Sequence, residues 1–242
     1  MSLDMRQGCA MSKNLFITGT GTDTGKTYIT GLILKKFREN ARNAAYYKAA
    51  VSGNERGADG ALIPGDPLHV KNVSGIGQPL EDMCPYIYET AVSPHLAACM
   101  EGSPVDMGCV LENFDRLCET YDYVTVEGSG GILCPLRFDE QKIWLEDFIK
   151  ARDLGCLVVA DAGLGTINAV ALTVEYMKSR QIPVRGIIFN HYEEGNPLHE
   201  DNRFMCEYMT GVKITACVKD GAVDLDMPFE LLESLYMEGK EK

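Results

Sequence analysis

The stretch Ile17-Thr18-Gly19-Thr20-Gly21-Thr22-Asp23-Thr24-Gly25-Lys26-Thr27 decides how the rest of the chain is read. Before it, Leu15-Phe16-Ile17 is an apolar run of strand length that stops at glycines, which admit backbone conformations closed to other residues. After it, Ile29, Leu32, Ile33 and Phe37 fall at helical spacing and predict a helix that begins near Gly25-Lys26 with one face toward a core. A strand, a glycine loop and a helix start together aim several backbone N–H groups and the positive end of a helix dipole at one point, which suits a polyphosphate. Lys26 adds a mobile charge, and Thr27 places a hydroxyl where a phosphate-bound Mg²⁺ takes a ligand. The usual phosphate loop has four residues between its glycines. Here Gly19 and Gly25 are separated by five, with Thr20 where the first glycine belongs, so the loop is a variant. The plain alternative is a glycine turn that only joins strand to helix, but Gly-Lys-Thr at such a junction is far more specific than a lone glycine pattern. Nucleotide binding is the expectation.

Composition bounds the rest. With 242 residues, 45% of them hydrophobic, the chain can bury one substantial core, and a single α/β domain over residues 11–242 is expected rather than two. A net charge of −12 argues against a nucleic-acid or anionic-membrane surface, which would need clustered Lys and Arg. The nine cysteines are odd in number and never spaced Cys-x-x-Cys; most sit in apolar runs as small core residues, which suits a reducing cytosol. The four histidines lack metal-ligand spacing. No apolar run approaches the ~18 residues of a membrane helix, and the polar first ten residues lack a signal-peptide core. A cytoplasmic protein is expected. Met11-Ser12-Lys13 reads as a natural start, which makes residues 1–10 an N-terminal extension from cloning or annotation.

Along the chain, strands and helices alternate. Strands are predicted at Ala44–Lys48, more weakly at Cys84–Tyr88, and at Tyr123–Val126, Cys156–Ala160, Val184–Phe189 and Lys213–Val218. Helices are predicted from Asp66, from Ser93-Pro94 with Ser as cap, from Asp106 to about Thr120, over Leu145–Leu154, Asn168–Arg180 and His199–Met209, and from Pro228. Near-continuous apolar strands between amphipathic helices imply a mostly parallel sheet covered on both faces. Ligands of such sheets bind at the carboxyl ends of the strands.

Four strand ends carry chemistry. Besides the phosphate loop, Lys48 ends the second strand, with Ser52-Gly53 just beyond. Alone it could be a solvated end residue; beside a phosphate loop it reads as an anion-binding lysine. Val126-Glu127-Gly128-Ser129-Gly130-Gly131 places a carboxylate at the end of a buried run, where a cation must compensate it, and Mg²⁺ beside a nucleotide would do so. A salt-bridged carboxylate before a tight turn is the alternative. Asp66 is by itself only a helix-start aspartate, yet a metal held by a hydroxyl, two carboxylates and phosphate oxygens needs a residue like it. Asn190, ending a late strand, offers a paired donor and acceptor for a purine edge, or a local turn. Asp161 to Asn168 is a further glycine loop leading into a helix, able to hold a second anion such as a substrate carboxylate, or simply to turn the chain.

Taken in order, these residues resemble the dethiobiotin synthetase family, a group of ATP-dependent enzymes on a P-loop NTPase-type fold. The resemblance is carried by Gly19 to Thr27 with its wide glycine spacing, Tyr47-Lys48-Ala49-Ala50-Val51-Ser52-Gly53, Gly65-Asp66, Thr90 with Ser93-Pro94-His95, Val126 to Gly131, Gly165-Thr166-Ile167-Asn168 and Asn190, and it covers most of the chain from Met11. It implies an ATP-dependent ligase that closes the ureido ring of dethiobiotin from 7,8-diaminononanoate and CO₂ or bicarbonate, through a carbamate and a carbamic-phosphoric anhydride. By position it implies Lys48, Lys26 and Thr22 as catalytic residues, and Ser52, Gly165 and Thr166 as substrate contacts. Nucleotide contacts are implied at Asp23, Thr24, Gly25, Lys26, Thr27, Tyr28, Asp66, Glu127, Gly128, Ser129, Gly130 and Asn190, with Mg²⁺ held by Thr27, Asp66 and Glu127. It further implies a homodimer with the Gly165 loop reaching the neighbouring subunit's substrate. The family commonly has Glu at Asp23, Pro at Ala49 and Asp at His191, and a proline soon after the strand that here runs into Val218–Val223. Two other readings fit a P-loop fold: another ATP-dependent amide-forming ligase, which would need an ammonia-producing domain or partner, and a partition- or septum-type ATPase switch, whose loops usually carry an extra lysine that Thr18 to Thr24 lacks.

Overall fold

A computed structural model describes residues 12–239; the reading of residues 1–10 as an extension lies outside them. Strand β1 (Lys13–Gly19) runs into the glycine loop and helix α1 (Lys26–Glu39). Strand β2 (Ala44–Tyr47) follows, then three short strands, β3 (Ala50–Val51), β4 (Glu55–Arg56) and β5 (Leu62–Ile63), and helix α2 (Gly65–Ser74). Strand β6 (Tyr86–Ile87) leads to helices α3 (Pro94–Met100) and α4 (Met107–Thr120). Next come β7 (Tyr123–Gly131), the pair β8 (Pro135–Phe138) and β9 (Lys142–Trp144), and α5 (Leu145–Arg152). The last third alternates β10 (Cys156–Asp161), α6 (Thr166–Ser179), β11 (Val184–Asn190), α7 (Pro197–Thr210), β12 (Ile214–Cys217), α8 (Phe229–Leu235) and β13 (Met237–Glu238).

The central sheet has the order β12-β11-β10-β1-β7-β2, parallel throughout, with β13 antiparallel against the start of β1. Period-two alternation sorts its residues to two cores. Leu15 and Ile17 of β1 and Leu157 and Val159 of β10 join Ile29, Leu32, Ile33 and Phe37 of α1, Val70 of α2 and Leu232 of α8 on one face. Phe16, Val124, Val126, Val158 and Ala160 join Phe114 of α4, Phe148 of α5 and Val170 and Met177 of α6 on the other. Both faces are therefore covered, as the unbroken apolar strands require.

This order sets the site. The loop strand β1 lies between β10 and β7, and β7 lies beside β2, so the carboxyl ends of β1 and β2 bring the loop and Lys48 to one crevice beside Glu127 in the middle of β7. As the sheet edge, β2 has outward backbone groups that need partners. Gln78, 1% exposed, supplies them: its Oε1 accepts from Tyr46 N at 2.8 Å and its Nε2 donates to Tyr46 O at 2.9 Å. Lys48 N donates to Met83 O at 2.9 Å.

Several sequence expectations shift. The Cys84–Tyr88 run yields only β6, which pairs with β3 outside the main sheet. Ser93 precedes α3 without a side-chain capping bond, whereas Asp106 caps α4 by accepting from Cys109 N at 2.8 Å. Helix α6 starts at Thr166, two residues before the expected Asn168, because Gly165 in the left-handed region (φ 91°) already turns the chain into it. Strand β7 continues past Val126 to Gly131, so Glu127 is inside a ladder rather than at a strand tip. The described cysteines are all free; Cys84, Cys156 and Cys206 are buried, while Cys99 is exposed on α3 instead of in the core.

Candidate active site

The glycine loop wraps the carboxyl end of β1. Gly25 is the N-cap of α1 in the left-handed region (φ 85°), and a Cβ there would stand 2.1 Å from Asn190 Nδ2. Only glycine fits, because the backbone conformation and the neighbouring amide both exclude a side chain. No side chain caps α1, so its first N–H groups remain directed into the loop, the arrangement that receives a phosphate. Lys26 Nζ folds back and donates to Gly21 O at 2.9 Å. Burial, reinforced by the nearby Lys48 ammonium, holds the Lys26 amine below the usual lysine range.

Beside the loop, five polar side chains converge. Lys48 Nζ donates to Asp66 Oδ2 at 2.5 Å and to Glu127 Oε1 at 2.7 Å. The same Glu127 Oε1 accepts from Thr27 Oγ1 at 2.8 Å, and Glu127 Oε2 accepts from Tyr46 OH at 3.1 Å. Lys48 is 4% exposed and Glu127 1%. Burial opposes the charge on Lys48, but Glu127 and Asp66 outweigh it and raise the amine above the usual lysine range. Burial likewise opposes ionisation of Asp66, and Lys48 overrides it, holding that carboxyl below the usual aspartate range.

A cavity of about 480 Å³ opens over this cluster, large enough for a polyphosphate group. Thr22, Asp23, Gly25, Lys26, Thr27, Tyr28, Lys48, Asp66, Glu127 and Gly130, all expected site residues, line it, together with His69. Thr24 lies behind the loop, buried, with Oγ1 lacking a partner. Gly128 packs so closely that a Cβ would meet Phe16 at 2.9 Å, and Ser129 Oγ donates to Ala50 O at 3.0 Å; both shape the wall instead of lining it. Ser52 Oγ donates to Val92 O at 2.5 Å, outside the loop cavity.

Asn190 lies against the loop, its Nδ2 donating to Thr24 O at 3.3 Å, with Oδ1 buried and unpartnered. Its neighbour His191, in the left-handed region (φ 55°), pairs through Nδ1 with Asp161 Oδ2 at 2.7 Å. The segment after β12 crosses α1, where Tyr28 OH donates to Ala222 O. Gly165 and Thr166 form the start of α6 beside β10, with Leu164 92% exposed and the loop tied by Asn202 Nδ2 donating to Ala162 O at 2.8 Å and Gly163 O at 2.9 Å. A larger hollow of about 820 Å³, between α7 and the Val218–Asp226 segment, contains none of the expected site residues. Its lining carries neither the loop nor the Lys48 cluster, so the smaller cavity is the candidate for chemistry.

Tyr46 and His69 join the site without having been singled out from sequence. Period-two spacing from Lys48 puts Tyr46 on the same face of β2, but a tyrosine in an apolar run reads first as core. His69, one turn beyond Asp66 on α2, had no pattern to mark it.

The donor set suits a hard cation. Thr27, Asp66 and Glu127 offer oxygens alone, and among the described residues no group of three or more His, Cys, Asp or Glu could hold a metal by itself. An ion here would be shared between protein oxygens and a bound phosphate, as Mg²⁺ prefers.

Comparison with known proteins agrees with this geometry. A family profile described as an AAA domain matches residues 13–222. The chain is 47% identical over 217 residues to ATP-dependent dethiobiotin synthetase BioD of Brachyspira hyodysenteriae, covering 89% of this chain and 96% of the relative. It is 44% identical over 228 residues to the protein of the same name from Clostridium botulinum strain Loch Maree, covering 94% and 100%. Among solved structures, a ParA family ATPase from Chlorobium tepidum superposes with a TM-score of 0.54 at 13% identity, over 93% of this chain and 89% of that one. The MinC:MinD cell division complex of Aquifex aeolicus gives 0.53 at 12%, over 93% and 86%. At such identities the likeness is one of fold, a P-loop NTPase sheet. No described helix is long and apolar enough to cross a membrane.

Proposed function

The chain belongs to the family of ATP-dependent dethiobiotin synthetases, and from that membership we propose that it closes the ureido ring of dethiobiotin from 7,8-diaminononanoate and CO₂ at the expense of ATP, in biotin biosynthesis. The observation that carries the reading is the Lys48 ammonium seated between Asp66 and Glu127, beside Thr27 at the head of the phosphate loop. Such an arrangement serves positioning and charge stabilisation, which phosphoryl transfer requires more than a covalent nucleophile.

Lys26 leaves Gly21 O and takes the β- and γ-phosphates, while the N–H groups of the loop hold the rest of the polyphosphate. Thr27, Asp66 and Glu127 hold Mg²⁺, which when bound neutralises charge on the polyphosphate. Lys48 steadies the carbamate formed on one amine and the phosphoryl group in flight. A carbamate oxygen attacks the γ-phosphorus and ADP leaves. The second amine then attacks the carbonyl carbon of the mixed anhydride, phosphate leaves, and the ring closes. Thr22 at the cavity wall and Ser52 lie toward the diamine, and Asn190 with Tyr28 toward the base. The first N–H groups of α6, at Gly165 and Thr166, take the substrate carboxylate of a neighbouring subunit in a homodimer. The enzyme works in the cytoplasm, without nucleic-acid or membrane partners.

The test is direct. Purified protein given 7,8-diaminononanoate, bicarbonate and MgATP is expected to release ADP and form dethiobiotin in equal amounts. ATP hydrolysis indifferent to the diamine would sink the assignment in favour of an ATPase switch.

A further inference from the structure

Glu127 divides its two oxygens between different partners. Oε1 faces Thr27 Oγ1 (2.8 Å) and Lys48 Nζ (2.7 Å), whereas Oε2 takes the phenol of Tyr46 (3.1 Å). The sheet sets this up: Tyr46 of β2 is in register with Thr125 of β7, and Glu127 lies two residues on, so all three share one face and Tyr46 reaches the carboxylate diagonally. Tyr46 is fully buried and its backbone is clamped on the outer side by the Gln78 amide, which fixes where the phenol ends. For filling this core, phenylalanine would serve as well. The hydroxyl is the part that packing leaves unexplained.

We propose that Tyr46 is a positioning residue for Glu127, holding Oε2 so that Oε1 alone is presented to the cation side of the site. The proposal rests on the reading of Glu127 as a Mg²⁺ carboxylate. Partners one step behind a metal ligand orient it, and their loss typically weakens metal affinity about 10–100-fold. Without the phenol, Glu127 keeps a buried oxygen with no donor, and the carboxylate is free to turn and offer both oxygens to Lys48.

The experiment compares Tyr46→Phe with Tyr236→Phe by calorimetric titration of ATP across a range of Mg²⁺ concentrations and in EDTA, and by steady-state turnover for KM of the diamine. Tyr236 is a matched control, since its buried hydroxyl bonds Thr125 Oγ1 at 2.6 Å on the same sheet without touching Glu127. The expected result for Tyr46→Phe is a rise of about 10–100-fold in half-saturating Mg²⁺, with ATP affinity in EDTA and KM for the diamine unchanged. Tyr236→Phe is expected to match the wild type in all three. Equal Mg²⁺ dependence in Tyr46→Phe and wild type overturns the proposal, and so does an equal loss in both variants. A Tyr46→Phe chain that fails to fold also counts against it, because the hydroxyl would then serve the core. If the wild type itself binds ATP without any Mg²⁺ dependence, the assignment of Glu127 falls first, and this proposal with it.

Discussion

Lys48 Nζ stands 2.7 Å from Glu127 Oε1, with side-chain exposures of 5% and 0%. The ammonium thus lies where Thr27, Asp66 and Glu127 converge, the place in which a nucleotide-bound cation is expected. A buried carboxylate needs such a partner, because leaving it uncompensated is more costly than the pair is stabilising. On the proposed function, a divalent cation held by the same oxygens would take over that charge and compete with the ammonium.

Lys48→Ala is therefore expected to act on turnover and on stability by separate routes. Removing one stabilising cation from the phosphoryl-transfer site should lower kcat by about 10²–10³-fold. Leaving Glu127 with Thr27 and Tyr46 alone should reduce stability by about 3 kcal/mol, within the margin of about 5–15 kcal/mol of an ordinary domain. Mg²⁺ should raise the Tm of the variant more than that of the wild type, where it competes with the ammonium. Thermal melts with and without Mg²⁺ check this, and near-normal turnover would remove Lys48 from the chemistry.

Gly25→Ala tests the loop. The new Cβ meets Asn190 Nδ2 and the residue must hold φ 85°, which costs a non-glycine residue about 1–2 kcal/mol, with overpacking adding about 1–3 kcal/mol. A lower Tm and loss of ATP binding are expected. Adding Asn190→Ala should recover only the overpacking part, since the backbone strain stays. Full recovery in the double variant would show that the conformation at Gly25 is not a constraint.

Much of this was legible because charge and glycine spacing are local signals. Gly19 to Thr27, Lys48 and Glu127 each stand at the end of an apolar run, and a parallel sheet gathers such ends. What the sequence did not give is held by contacts distant in the chain. Tyr46 meets Glu127 across 81 positions, and Gln78 clamps Tyr46 across 32, separations that no local spacing reports. The Cys84–Tyr88 run has strand composition, but the outward groups of Tyr46 and the N–H of Lys48 just beyond β2 are already taken by Gln78 and Met83, and only Tyr86–Ile87 pairs, with β3. Thr166 heads α6 because of one left-handed glycine, a feature that an apolar-periodicity reading places two residues late.

Acid stability should depend on Glu146, far from the loop. Hydrogen bonding from Arg180, against the opposing effect of burial and with help from Tyr176, holds its carboxyl down to about 2. A depressed carboxylate stabilises the fold fully above its unfolded value of about 4.3 and loses that contribution as pH falls toward the folded value. Glu146→Gln should be less stable than wild type by about 2 kcal/mol at pH 7, allowing for the half-exposed Arg180. The gap should close between about pH 4.5 and 2. Urea melts over that range decide it, and a gap that persists at pH 2 would point to packing instead of charge.

On the proposed reading of Asp66 as a Mg²⁺ carboxylate, replacing it should separate metal binding from nucleotide binding. Unlike Glu127 it is 38% exposed, so replacing its carboxylate leaves no deeply buried orphan and the fold should tolerate Asp66→Asn. Lys48 would keep one full charge partner in Glu127, and the loop would keep its N–H groups and Lys26. The loss should therefore fall on the cation: an interaction with a charged group contributes about 1.5–3 kcal/mol, which is roughly 10–100-fold in half-saturating Mg²⁺. ATP binding in EDTA should stay at the wild-type level. Because Lys48 holds the Asp66 carboxyl below the usual aspartate range, the wild-type Mg²⁺ requirement should gain no acid limb from Asp66 between pH 7 and 5. Titration of Mg²⁺ at several pH values, in wild type and Asp66→Asn, reads both effects. A wild-type requirement that rises between pH 7 and 5 while that of Asp66→Asn stays level would place the titrating group at Asp66 and contradict its pairing with Lys48.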